Sequence, residues 1–204
     1  MSKPKERDKS KKRAIILDGA IDVFIDMGYE LASMDKIAET AGVSKRTIYN
    51  HFGSKDHLFQ VIVEDFLAQR QNLKTIKYDA GKTLEEQLLA FINAEIFLID
   101  SPKRLGLSRS MTITFLSDLD YARETVSKYP PVFGMFLDWL KEAKEDGKIK
   151  ADNLLLAARL FNSLIIGALT WPPLFSNDIN KYAMKPMIDE VIEVFLARYG
   201  NIKK

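Results

Sequence analysis

Helical periodicity runs through almost the whole chain, and no convincing run of alternating Val, Ile and Thr stands between turn residues. Such a chain must bury one stripe of each helix against other helices, which points to an all-α protein. Residues 8–27 show the pattern. Ile16, Ala20, Val23, Phe24 and Met27 share one stripe, Asp18, Asp22 and Asp26 lie opposite, and Gly28 stands where a left-handed C-terminal cap is wanted. Ser33 caps a short second helix carrying Ile37, Ala38 and Ala41, which Gly42 ends. Ser44 caps a third that runs to Phe52. Gly53-Ser54 ends it and caps a fourth, residues 55–74, with Leu58, Phe59, Ile62 and Phe66 inward.

The same punctuation continues downstream. Thr83-Leu84-Glu85-Glu86 is a capping box for a fifth helix through Ile99, and Ser101-Pro102 opens a sixth. A seventh stretch reaches Glu145, bent or broken at Pro130-Pro131. Asp152 caps an eighth, which Trp171-Pro172-Pro173 stops, and the last runs to Tyr199 with Pro186 in its first turn. The expectation is about nine helices, three short ones followed by longer ones. Leu160 to Asn177 contains no charged residue, but its proline pair interrupts any membrane span, so it reads as a helix buried inside a protein. No membrane role is expected.

Composition removes several function classes. With no cysteine, thiolate metal sites and a Cys nucleophile have no material, and His51 and His57 leave almost none for a His-rich metal site or a His-based triad. Gly81-Lys82-Thr83 imitates a phosphate loop but has Ile76 where a glycine is needed, and Gly106-Leu107-Ser108-Arg109-Ser110 lacks the second glycine of a nucleophile elbow. Neither an enzyme nor a cofactor or metal is expected, and the cysteine-free chain is expected in the cytoplasm. Charge is uneven. Residues 1–13 carry seven basic groups against Glu6 and Asp8, whereas residues 14–56 hold four basic and seven acidic ones. A basic arm of that kind lies well along a polyanion.

Residues 33–55, SMDKIAETAGVSKRTIYNHFGSK, carry the functional signal. Two short helices joined through Ala41-Gly42-Val43-Ser44 form a helix-turn-helix arrangement. On the third helix Ile48 and Phe52 share the inward face, which leaves Arg46, Thr47, Tyr49 and Asn50 outward, Lys45 near the start and His51 on the flank. A hydroxyl, an amide, a phenol and two cations suit both phosphates and base edges.

The segment resembles the DNA-binding domain of the TetR/AcrR family of transcriptional regulators. The resemblance rests on Ile37-Ala38-Glu39, Ala41-Gly42-Val43-Ser44, Thr47-Ile48-Tyr49-Asn50-His51-Phe52 and Ser54-Lys55-Asp56-His57-Leu58, with the lead-in Phe24, Met27, Gly28 and Tyr29. It implies that the third helix enters the major groove of an operator duplex. Thr47 and Tyr49 would grip phosphates, Lys45, Arg46 and Asn50 would meet base edges, and His51 would brace Tyr49 or a phosphate. It further implies that Lys55, at the start of the fourth helix, and Ser33, at the start of the second, could each hold a phosphate with backbone N–H groups. Position 46 is often small or Pro in the family, so Arg46 bears on base preference.

The resemblance further implies a helix-turn-helix domain over residues 1–57 and an effector-binding, dimerising domain over residues 58–204. A small-molecule effector would meet Phe66, Phe97, Met111, Phe115, Trp139, Asn162 and Trp171, large or polarisable residues at helix-interior spacing. Arg104, Arg109 and Arg159 lie in apolar stretches and need partners, and Arg104 joins the effector set. A homodimer would form through Leu160, Leu164, Gly167 and Ala168 of the eighth helix and Ile188, Val191, Ile192, Phe195 and Tyr199 of the ninth. The function implied is a ligand-responsive repressor that binds a palindromic operator. The alternative is a structural, nucleoid-associated DNA-binding protein without effector control.

Overall fold

The structure is a computed structural model that describes residues 4–71, 76–129, 133–176 and 184–201. It is all-α: among the described residues the only β feature is one isolated bridge between Ile149 and Gly200. The helices are α1 (Pro4–Leu31), α2 (Met34–Ala41), α3 (Lys45–Phe52), α4 (Lys55–Gln71), α5 (Leu84–Ile96), α6 (Pro102–Ser117), α7 (Leu119–Lys128), α8 (Phe133–Glu145), α9 (Leu154–Leu174) and α10 (Met184–Tyr199), with a 3-10 turn at Phe97–Ile99.

The chain packs as two compact units, Met1–Leu67 with Gly106–Thr125, and Ala68–Leu105 with Val126–Lys204. In the first unit, Ile16, Ala20, Val23 and Phe24 of α1 and Ile37, Ile48, Phe52, Leu58, Phe59 and Ile62 are all buried, and Phe24 lies edge-on to Phe59 at 5.1 Å. Close crossing of α1 and α2 depends on Gly19, where an added Cβ would stand 2.9 Å from the Ala41 Cβ. Gly42 turns the chain between α2 and α3 at φ 63°, a left-handed conformation that glycine adopts without strain. Val43 N–H then donates back to the Ala38 carbonyl at 3.0 Å, closing the turn. Serine caps form as the spacing predicts: Ser33 Oγ accepts from Lys36 N at 3.1 Å and Ser44 Oγ from Thr47 N at 3.2 Å.

The second unit is built on an aromatic stack. Phe136 lies 4.5 Å from Phe161 and 4.9 Å from Phe91, and Phe161 lies 4.8 Å from Phe195, centroid to centroid. Leu88, Ile92, Leu140, Ile165, Val191 and Leu196 complete the core around them. The capping box at the start of α5 is formed between Thr83 and Glu86. One turn further, buried Gln87 accepts from Trp139 Nε1 at 2.9 Å and donates to the carbonyl of Asp79 at 3.0 Å, tying α8 to the loop before α5. Burying that amide is tolerable only because its bonds are made.

Several expectations are corrected. Helix α1 starts at Pro4, so the basic arm is its first turns, and Gly28 (φ 75°, ψ 166°) kinks the path before Tyr29–Leu31. Met27, assigned to the inward stripe, is 42% exposed. The seventh stretch is two helices, α7 and α8, and Pro130-Pro131 lie outside the described residues, as do residues 72–74. Asn153, not Asp152, caps α9, its Oδ1 accepting from Leu156 N at 3.0 Å. That helix also passes Trp171-Pro172-Pro173, through a π segment at Ile166–Thr170 and a last turn at Trp171–Leu174. Wider π winding shifts the hydrogen-bond register, and the prolines fall in the opening turn beyond it, where a missing N–H matters least.

Helix α9 is long and apolar enough, by length and composition, to cross a membrane, yet only 28% of its most apolar window is buried. Ala157, Ala158, Phe161, Ile165 and Leu169 form its inner face, whereas Leu155, Leu156, Leu160 and Trp171 are exposed. It is therefore a core helix with a second apolar face, rather than one buried all round.

Candidate nucleic-acid interface

Helix α3 holds its outward side chains by burying the other face. Ile48 is fully buried and Phe52 is 2% exposed, and each such side chain contributes roughly 1.5–3 kcal/mol. With those two fixed inward, Lys45, Arg46, Tyr49 and Asn50 are exposed and Thr47 and His51 are half-buried on the flanks. Tyr49 leaves 45% of its surface to solvent, unusual for so large a ring and suited to a phosphate or sugar contact. Among the described residues, neither Arg46 nor Asn50 is engaged by a neighbouring side chain.

Their neighbours set the geometry. The Thr47 hydroxyl lies 2.8 Å from Ser44 Oγ, which orients it at the first turn of the helix. Lys45 Nζ donates to Asp35 Oδ2 at 2.8 Å, a link between α3 and α2 whose hydrogen bond holds the ammonium's pKa above its ordinary value. Both groups stand in solvent, so the pair adds little stability and can open toward a phosphate. Ser33, exposed at the start of α2, accepts from Lys36 N and keeps its hydroxyl proton for a further acceptor. Exposed Lys9, Lys11 and Arg13 project from the first turns of α1, and the Arg13 guanidinium lies 5.5 Å over the Phe52 ring.

Lys55 differs from its expected role. Its ammonium donates to the carbonyls of Tyr29 at 2.8 Å, Ala32 at 3.1 Å and Glu30 at 3.3 Å, and stands 4.4 Å over the Tyr29 ring. All three N–H bonds of the ammonium are thus directed at the end of α1, so its side chain joins α4 to α1 instead of reaching for a phosphate. Tyr29 completes the joint, its hydroxyl donating to Asp56 Oδ1. On the next residue, the His57 ring nitrogen Nδ1 lies 2.7 Å from the Phe52 carbonyl at the end of α3. Sequence reasoning missed this bracing. The available signal was the kink at Gly28, which leaves the carbonyls after it without helical partners.

The expected effector residues are shared between the two compact units. Phe66, Met111 and Phe115 belong to the first unit; Phe97, Arg104, Trp139, Asn162 and Trp171 belong to the second. Trp139 is 1% exposed and hydrogen-bonded to Gln87, which is core packing. Trp171 stacks on Phe175 at 5.2 Å, and both face solvent. Arg104 is paired through Nη1 with both oxygens of Asp100 at 2.6 and 2.7 Å and lies 3.9 Å over the Phe97 ring. An intramolecular carboxylate thus answers the question its apolar surroundings raised.

The dimer set also divides. Ile188, Val191, Ile192, Phe195 and Tyr199 are at most 9% exposed and pack in their own protomer's core. They are not available to a partner, which corrects the interface expected on α10. Leu160 is 40% exposed and Gly167 has open space where a side chain would be, while Leu164 and Ala168 are partly buried against the core. The large apolar side chains exposed on α10 are Met187 and Val194, seven residues apart and on one face.

Residues 16–62, which contain α2, α3 and the start of α4, match the sequence family described as "Bacterial regulatory proteins, tetR family". Residues 86–201, more than half the chain, match the "AefR-like transcriptional repressor, C-terminal domain". The chain belongs to the TetR family. A TetR-family protein of this kind is a DNA-binding transcriptional regulator. Among its relatives, the transcriptional activator FasR of Mycolicibacterium smegmatis is 43% identical over 56 residues, 28% of this chain and 26% of that protein. The chain thus spans about a quarter of FasR's length. The fatty acid metabolism regulator protein of Bacillus subtilis is 26% identical over 201 residues, covering 96% of this chain and 99% of the relative. A TetR-family regulator from Pseudomonas syringae pv. tomato has a solved structure that superposes with a TM-score of 0.74 at 28% identity, over 94% of this chain and 98% of that one.

Proposed function

We propose that the protein is an effector-responsive repressor that binds a palindromic operator as a homodimer in the cytoplasm. The observation that carries this reading is the face of α3: four exposed polar or aromatic side chains held outward by two buried ones. Tyr49 and Thr47 serve as phosphate contacts, Arg46, Asn50 and Lys45 as base-edge contacts, with Ser33 and His51 at the margins. Lys55 acts at one remove, by fixing the start of α4 against α1. Two such helices related by a two-fold axis require inverted half-sites.

The dimer reading rests on surplus apolar surface. Leu156, Leu160, Gly167 and Trp171 form one exposed line along α9, and Met187 and Val194 one along α10. A small residue at Gly167 allows close approach of a second helix, and a stripe this apolar is unfavourable in water. In the effector reading, the ligand binds the C-terminal unit, where Phe97, Arg104 and Asn162 remain candidate contacts. Helices α4 and α6 each run through both units, α4 across Leu67–Ala68 and α6 across Leu105–Gly106, so either can carry a displacement to the DNA-binding unit. A nucleoid-associated role without effector is the competing reading. Selection from random duplexes tests the proposal: it should return an inverted repeat, and binding should weaken steeply with salt, as when on the order of 6–10 phosphates are contacted. Recovery of sequences without two-fold symmetry would contradict it.

A further inference from the structure

A concavity of the first compact unit lies away from α3. It is a cleft of about 970 Å³ between the end of α1, the start of α4 and the α6–α7 corner. Rings form its inner surface: Tyr29 and Phe59 lie 4.8 Å apart, and Tyr121 lies 6.5 Å from Phe59. Carboxylates form its rim, with Glu30 and Asp56 on one side and Asp118 and Asp120 on the other. Arg123 is the only cation lining the cleft, and it is paired with Asp120 at 2.9 Å. Four carboxylates against one guanidinium leave the opening strongly negative.

Burial, reinforced by the hydrogen bond and charge of Asp56, pushes Tyr29 above its ordinary pKa. Burial together with the nearby carboxylates of Glu64, Glu124 and Asp118 pushes Tyr121 up to about 12, although Thr125 acts the other way. Both rings therefore stay neutral at physiological pH. Lys55 does not line the cleft, but its Nζ stands 4.4 Å over the Tyr29 ring, so this tyrosine face already meets one cation. Aromatic faces inside and carboxylates at the mouth are the two elements that attract a desolvated organic cation.

We propose that this cleft of the first compact unit binds an amphiphilic organic cation, at a site separate from the effector contacts proposed in the second unit. The cation's apolar body lies on Phe59 and the tyrosine rings, and its charge faces Asp56 and Asp118. Because Tyr29 and Asp56 also form the α1–α4 joint that Lys55 completes, an occupant touches the scaffold that supports α2 and α3.

Shape-matched probes of opposite charge test this on the full chain. Tetraphenylphosphonium should bind in calorimetry, and tetraphenylborate, of the same shape, should bind at least about tenfold more weakly, because the rim repels it. The double variant Asp56→Asn and Asp118→Asn removes two charges but keeps an acceptor for Tyr29 and for the Tyr121 backbone N–H, to which Asp118 is bonded at 2.9 Å. It should weaken tetraphenylphosphonium by about tenfold while melting as a folded protein. Hydrogen exchange on the unmodified chain gives a readout that does not depend on the variant folding. Protection on adding the cation should fall at residues 29–30, 56–60 and 114–123. No binding, equal binding of both probes, an unaffected folded double variant, or protection confined to the second unit would each overturn the proposal.

Discussion

Helices α3 and α10 both follow a 3.6-residue apolar pattern, yet their free faces are opposite in kind. On α3 the apolar residues Ile48 and Phe52 are spent inside the protomer, and what remains is Arg46, Tyr49 and Asn50. On α10, Ile188, Val191, Ile192, Phe195 and Tyr199 are spent inside in the same way, but the far side still carries Met187 and Val194. Periodicity therefore locates a helix's own core and nothing more. Function lies in the remainder: a polar remainder that exceeds what solvation needs suits DNA, and an apolar remainder suits a second helix pair.

Adjacent residues of α10 sharpen the contrast most. Phe195 is fully buried among Phe136, Phe161 and Tyr199, so Phe195→Ala should cost about 3–5 kcal/mol and Phe195→Glu should prevent folding of the second unit. Val194→Glu, one position away and 44% exposed, should leave each protomer folded. Light scattering should then report a monomer and a DNA-shift assay should report lost operator binding, with α3 untouched. A Val194→Glu dimer of unchanged affinity would remove α10 from the interface.

A second comparison separates Lys55 from α3. If its ammonium joins α4 to α1, Lys55→Met should lower stability by about 1–3 kcal/mol, because the carbonyls of Tyr29, Glu30 and Ala32 lose their charged donor. The salt dependence of DNA binding should stay the same. A slope reduced by about one phosphate contact would return Lys55 to the DNA surface.

What the sequence made legible follows from how local each interaction is. Ser33, Ser44 and the Thr83/Glu86 box act within one helical turn, and all three form as the spacing implies. Gly42 is equally local. Lys55 was unreadable because its partners stand 23 to 26 residues away, at a kink whose freed carbonyls only folding brings near. Asp152 and Asn153 are both good capping residues, and only the backbone angle at Asn153 decides between them. The stripe on α10 was assigned to the wrong partner for a plainer reason. A helical wheel shows that a face is apolar, and gives no sign of which body covers it.

The smallest effect expected compares the units by their phenols. Tyr121 in the first and Tyr78 in the second are each pushed up to about 12 from 10.0, in both cases chiefly by burial. In the unfolded chain they titrate near the ordinary value, so the folded state holds its protons longer. Their contribution is intact below about pH 10 and is lost as pH rises from there toward about 12. Denaturant midpoints should fall over that window, and Tyr121→Phe and Tyr78→Phe should each reduce the fall. Curves that superpose with the unmodified protein would show that neither phenol is perturbed.

The central claim is that the exposed face of α3 serves DNA and not the fold. Thermal midpoint and operator affinity, measured on one sample of Arg46→Ala/Asn50→Ala, test it most directly. Both residues are exposed, so stability should change by no more than about 0.5 kcal/mol per site, while affinity for the selected operator should drop by about 1–3 kcal/mol for each base contact removed, with relaxed preference at particular positions. A variant that melts like the parent and binds the same duplex with the same affinity would contradict the account.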